Sequence, residues 1–195
     1  MDALRAVVEE SSVRYAIDNT ASSFFVKAFP SGLLSAFAHS PKIAIRDFHG
    51  SVSFTPAGGT LDGARLDVRI PSDSLEVVND VSDEDRQEIQ HRMHSEVLEA
   101  DRFPEVSYQS SRIATSGSGD RFWVAMKGEL TLHGVTRPLS ITARVALNGD
   151  SLRSTGEFSI LQTDFDINPP KAAGGTIRLK DELKFSFDIL ARKQE

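Results

Sequence analysis

Apolar and polar residues alternate with a period of two from Met126 to Val145, MKGELTLHGVTRPLSITARV, on both sides of a turn at Gly134. Phe122, Val124, Met126, Gly128 and Leu130 fall on one face, and Lys127 and Glu129 on the other. Beyond the turn, Leu139, Ile141, Ala143, Val145 and Leu147 repeat the pattern against Ser140, Thr142 and Arg144. Side chains of a strand point alternately to its two faces, so each run has one wet face and one buried face. The same alternation recurs in Val13–Tyr15–Ile17, Phe24–Val26–Ala28, Ile43–Ile45, Val52–Phe54 and Ala64–Leu66–Val68–Ile70. It returns in Val106–Tyr108, Gly156–Phe158–Ile160 and Leu183–Phe185–Phe187–Ile189.

Turn chemistry separates the runs, at Pro56–Gly59, Ser116–Asp120, Asn148–Asp150 and Ala173–Gly175. Clean alternation with short turns predicts antiparallel pairing, because parallel sheets read as continuous apolar runs. One segment, from Ser82 to Ala100, breaks the rhythm. Ile89, Met93 and Val97 recur every four residues, Ser82 with Asp85 forms a capping-box pattern, and Pro104 keeps the helix from continuing past Phe103. A short turn is expected over Gly32–Phe37. Roughly nine or ten strands and one helix predict a single domain over 1–195, its core spanning about 13–192, built as a barrel or a sandwich.

An eight-stranded barrel leaves an interior just wide enough for side chains or one slender ligand. Ala28, Ala64, Ala143, Gly128 and Gly156 fall on inward faces. They are read either as a slot for a chain-like apolar ligand or as the taper of a packed barrel, and composition alone puts the packed barrel first. The chain has no cysteine, which removes disulfides, thiolate nucleophiles and Cys-held metals. Its net charge is −6 and no basic cluster stands out, which disfavours nucleic acid as a partner. Met1–Glu10 holds no secretory pattern and no apolar run is long enough to span a bilayer, so a cytoplasmic protein without a transmembrane segment is expected.

The order of motifs adds a resemblance. GLLSAFAHS (Gly32–Ser40), FHGSVSF (Phe48–Phe54), IPSDSL (Ile70–Leu75), RFPEVSYQS (Arg102–Ser110), GELTLHGVTRPL (Gly128–Leu139), QTDFDINP (Gln162–Pro169) and KDELKFSFDI (Lys180–Ile189) follow one another. The chain from about Tyr15 onward resembles the YceI-like family of lipocalin-like barrels. The resemblance implies an all-β fold: an extended antiparallel eight-stranded barrel with one flanking α-helix. It also implies a tunnel for a polyisoprenoid, either a polyprenyl chain or the tail of an isoprenoid quinone, and frequent homodimers. Two positions depart from the family pattern. Pro41 stands where many relatives carry a second histidine after His39, which weakens any two-histidine metal site, and Asp166 stands where many carry glycine.

Alternation and the resemblance together give the expected ligand-binding residues: Val26, Phe37, His39, Leu66, Val68, Phe122, Val124, Met126, Ile141, Ala143, Phe158 and Phe185. No metal, no cofactor and no catalytic residue is expected. His91 and His94 share a helix face but lack a third ligand, so they read as a solvated face. His133 reads as turn chemistry, and Asp164 with Asp166 as exposed loop acids. No Gly-x-Ser-x-Gly elbow or ordered Ser/His/acid set occurs. Three functions follow, in order: a polyisoprenoid carrier or sequestering protein, an enzyme on a lipophilic substrate with His39 as general base, and a packed structural or stress protein.

Overall fold

The structure, a computed structural model, describes residues 12–31, 40–55, 61, 63–79, 81–118, 120–172 and 177–195. The first seven strands are β1 (Val13–Ile17), β2 (Ser23–Lys27), β3 (Pro30–Ser31), β4 (Lys42–Ile45), β5 (His49–Phe54), β6 (Arg65–Pro71) and β7 (Leu75–Val77). Helix α1 (Asp83–Arg92) comes next and runs into a single wide π-turn, Met93–Val97. After it come β8 (Glu105–Ser118), β9 (Arg121–Leu132), β10 (Val135–Asn148), β11 (Ser151–Leu161), β12 (Lys171–Ala172), β13 (Ile177–Leu179) and β14 (Glu182–Lys193).

The wall runs β1–β5–β6–β8–β9–β10–β11–β14 and closes where β14 pairs with β1, from Tyr15 opposite Lys193 to Ile17 opposite Ala191. The result is a closed, eight-stranded, antiparallel barrel. Closure removes the exposed sheet edges on which other chains pair. Along β9 the residues alternate without a break between exposed and buried, from Arg121 to Leu130. Phe122, Val124, Met126 and Leu130 are inside, while Lys127 and Glu129 are outside. Ile141, Ala143 and Val145 answer them from β10, with Thr142 and Arg144 exposed. The turn between these strands is His133–Gly134, with φ of 53° and 74°. Positive φ at both residues is what a two-residue hairpin of type I′ requires.

Three positions in the wall are strands bent in the middle. β2 continues the path of β1 along β14, β4 leads into β5, and β7 continues β6. The bends are a 3-10 turn at Asn19–Ala21, an irregular stretch at 46–48 and a 3-10 turn at Ser72–Ser74. They lie at one level and are tied together. Asn19 Nδ2 donates to the Arg46 carbonyl at 3.0 Å, Arg46 N–H to the Ser74 carbonyl at 3.0 Å, and Ser74 Oγ to the Asp47 carbonyl at 3.0 Å. Ser72, almost fully buried, gives its hydroxyl to the Phe103 carbonyl at 2.6 Å. The belt lets these strands bend while their backbone groups find hydrogen-bond partners.

Beyond the belt β7 has no strand on its outer side, and the helix takes that place. Gln90 accepts from the Val77 N–H at 2.7 Å and donates to the Leu75 carbonyl at 2.6 Å. His94, one turn on, brings Nε2 within 2.8 Å of the same carbonyl. The expected exposure of His94 is therefore corrected. It is four residues from Gln90, so it shares that residue's face and turns toward the sheet edge, while His91 stays exposed.

β8 is also longer than its alternation suggested. The register slips between Ser110 and Arg112, a β-bulge, and the buried set changes from even (Tyr108) to odd (Ile113). One inserted residue inverts the phase of everything after it. Asp166, at φ 57°, occupies the left-handed region at the end of the turn 162–165, a conformation glycine takes freely and aspartate tolerates. The turns expected at Gly32–Phe37, Pro56–Gly59 and Ala173–Gly175 lie outside the described residues.

Buried Tyr15 stacks on Phe54 at 5.7 Å and donates its hydroxyl to the Gly149 carbonyl at 2.8 Å. Burial raises the Tyr15 phenol above its ordinary value, with Asp150 adding to the effect, and burial pushes the Tyr108 phenol up to about 12. These are the chain's two tyrosines. A phenol whose pKa is raised on folding contributes its full stability below the unfolded value of about 10, and loses it as pH rises toward the folded value. Ultraviolet titration should therefore show no phenolate in the native protein near pH 10. The phenolate signal should rise together with loss of the β circular-dichroism signal as pH climbs toward 12. A phenolate signal near the ordinary value with the barrel intact would contradict this burial.

Candidate functional site

The inward residues do not meet at the axis. They surround a cavity of about 500 Å³. Of the two readings of the interior, the structure has the open one. The volume falls within the range of about 300–1,000 Å³ typical of ligand pockets. Cavities opened in packed cores cost about 24 cal/mol per Å³, so a dry void of this size would cost on the order of 10 kcal/mol. That is comparable with the net stability of a whole domain, about 5–15 kcal/mol. Space on this scale is not a packing defect.

The lining is aliphatic and aromatic over most of its length, from Leu152 and Ala191, past Val68, Val124 and Ile141, to Leu75 and Leu183. Phe158 and Phe185 stack flat against each other, 4.7 Å apart and 5° from parallel, and Phe24 meets both rings edge-on. Rings held this way lie along the wall. Helix residues Ile89, Met93 and Val97 complete the lining beside β7.

Eight of the expected ligand residues line the cavity: Val26, Leu66, Val68, Val124, Met126, Ile141, Phe158 and Phe185. Phe122 and Ala143 are buried but are not in its wall. Phe37 and His39 lie outside the described residues. The reason for Ala143 extends to the other small residues. A side chain at Gly156 would come within 2.6 Å of the Phe187 ring, and one at Gly128 within 2.7 Å of the Tyr108 ring. These glycines give room to neighbouring aromatics and not to a ligand. Ala28 and Ala64, by contrast, do face the cavity.

Sequence reasoning missed Phe24, Ile43, Ile45, Phe48, Ile70 and the helix stripe as lining residues. Their apolar spacing was visible, but the bends in three strands were not. It also missed the mouth. Where the lining passes between α1 and the small sheet β12–β13–β3, it becomes charged, at exposed Glu88, Lys171 and Arg178 and half-buried Arg92.

Among the described residues the site contains few groups that could do chemistry. Tyr108 hydrogen-bonds through its hydroxyl to the Leu139 carbonyl at 3.3 Å and holds its proton to about pH 12. Buried Gln162 spends its amide N–H on the Lys180 carbonyl at 2.9 Å. Among the described residues no group of three or more His, Asp or Glu side chains is placed to hold a metal, and no helix is long and apolar enough to cross a membrane. His133 serves the hairpin, with Nδ1 3.2 Å from the Phe165 carbonyl and its ring on Phe103. Asp164 and Asp166 are both exposed.

Comparison with known proteins gives one consistent picture. The family profile for the YceI-like domain matches residues 15–191. A UPF0312 protein of Pseudomonas savastanoi pv. phaseolicola is 25% identical over 199 aligned positions, covering 98% of this chain and 93% of the relative. Two solved structures share the fold. BcnA of Burkholderia cenocepacia superposes with a TM-score of 0.69 at 17% identity, covering 89% of this chain and 98% of that one. A domain from Saccharophagus degradans, described as polyisoprenoid binding and implicated in plant cell wall breakdown, gives 0.66 at 14% identity, covering 92% and 98%.

Ala64→Phe should project a ring into the cavity, and Ala143→Phe into packed wall. Both should destabilise the barrel by about 1–3 kcal/mol through overpacking. Only Ala64→Phe should also displace an apolar fluorescent probe, with its apparent affinity falling about tenfold or more. Thermal unfolding and probe titration on both variants check this. Equal loss of probe binding in the two would show that the cavity wall is wrongly drawn.

Proposed function

Because the chain belongs to the YceI-like family, we propose that it binds the chain of a polyisoprenoid lipid, a polyprenyl compound or the tail of an isoprenoid quinone, and carries or sequesters it without altering it. The observation that carries this reading is the apolar cavity of about 500 Å³ running inside a closed barrel. The cavity is narrow, which suits a slender flexible chain better than a broad rigid disc. Affinity comes from burial at about 0.8 kcal/mol per methylene, offset by the freedom the ligand loses on binding. The description of the Saccharophagus degradans domain as polyisoprenoid binding supports the same choice.

The chemistry of the wall favours a carrier over an enzyme. General acid–base catalysis works best with groups whose pKa lies near the working pH, and the phenol in this wall lies near 12. Proton transfer would have to come from other groups, and the described interior of the cavity has no pair of titratable groups converging on one point.

Organic extraction of the purified protein followed by mass spectrometry should recover an isoprenoid in near-stoichiometric amount. Its fragment ladder should step by one isoprene unit. Recovery of straight-chain fatty acids alone, or of no lipid from protein that also fails to take up geranylgeraniol, would overturn the proposal.

A further inference from the structure

We infer that the mouth of the cavity is a binding site for the phosphate of an isoprenoid phosphate, formed by Lys171, Arg178 and Arg92. This rests on the reading of the barrel as an isoprenoid carrier and specifies which head group that carrier selects.

Lys171 on β12 and Arg178 on β13 are directly opposite each other in an antiparallel pair. Opposed residues project to the same face with their Cβ atoms about 5 Å apart, and like charges in that position repel. Both residues are exposed, both line the cavity, and no carboxylate among the described residues pairs with either. Arg92 joins them from the helix. One terminal nitrogen donates to the Lys171 carbonyl at 3.4 Å, and its Nε lies 3.3 Å from Glu96. Among the described residues Glu88 is the one acid that lines the same stretch of cavity, and Glu96 is paired with Arg92, which leaves Lys171 and Arg178 as the cations without a carboxylate partner. The rim is thus locally cationic on a chain whose net charge is −6.

A cationic rim around the opening of an apolar tube selects an amphiphile. The chain lies inside and the head group stops at the mouth. An anion between Lys171 and Arg178 turns their repulsion into two attractions. A guanidinium fork matches phosphate oxygens, and charge-assisted hydrogen bonds of this kind are about twice as strong as neutral ones. A phosphate monoester carries close to two negative charges near neutral pH, which suits several cations better than a single carboxylate would. The neutral head of a quinone or an alcohol gains none of this.

The test compares geranylgeranyl phosphate, geranylgeraniol and inorganic phosphate by isothermal titration calorimetry, on the wild type and on a Lys171→Gln/Arg178→Gln variant. Thermal unfolding verifies that the variant is folded. The wild type should bind the lipid phosphate about tenfold or more tightly than the alcohol, and added salt should narrow that ratio. In the variant the ratio should fall to about one. Equal affinity for the two lipids in the wild type, or a preference that survives in the variant, overturns the head-group assignment alone. Inorganic phosphate binding as tightly as the lipid phosphate also overturns it, because the anion site would then be independent of the chain. If neither lipid binds the wild type, the carrier reading fails together with it.

Discussion

A barrel of eight strands is just wide enough for its own side chains to meet at the axis, so an open axis has to be maintained against collapse. Apolar surface facing apolar surface across a gap draws together unless the backbone forbids it. Three features of the wall bear on this. The bends at Asn19–Ala21, 46–48 and Ser72–Ser74 are tied to one another by hydrogen bonds, which fixes how three strands turn along the wall. The helix fills the gap that opens beside β7, with Gln90 and His94 serving the free backbone groups of that strand. Gly128 and Gly156 make hollows in the wall, and Tyr108 and Phe187 fill them without entering the axis.

Each device also shapes what the cavity can do. Phe24 meets Phe48 edge-on and also meets the stacked pair Phe158–Phe185, so a band of rings lines one side of the tube. The helix brings Ile89, Met93 and Val97 to the wall and Arg92 to the rim. Where the small sheet and the helix approach each other the lining becomes charged. A tube greasy within and charged at such an opening has the polarity of an amphiphile in reverse.

Much of this was legible in the sequence, and the parts that were not have identifiable causes. β9 and β10 were plain because their alternation runs unbroken and the His133–Gly134 turn fixes their register. The second half of β8 was hidden by its bulge, which reverses the phase between Tyr108 and Ile113. Ile89, Met93 and Val97 gave away the helix and its buried face. Nothing in the sequence said that Gln90 and His94 would complete a sheet edge, because that depends on which strand lies beside them. Ala143 shows the limit of alternation most clearly. Period two says which face a residue is on, but not whether that face meets a cavity or a neighbour, and Ala143 meets neighbours at 1% exposure. Lys171 and Arg178 are seven residues apart in the chain and become partners only through β12 and β13.

Whether the open axis of this barrel takes up an isoprenoid chain is decided by a crystal structure of the protein grown with geranylgeraniol. Continuous branched density is expected along the axis, beside Val68, Val124 and the Phe158–Phe185 stack, with those rings unmoved. Phenylalanine rings turned inward to fill the axis, with the lipid absent or bound only on the outer surface, would contradict it.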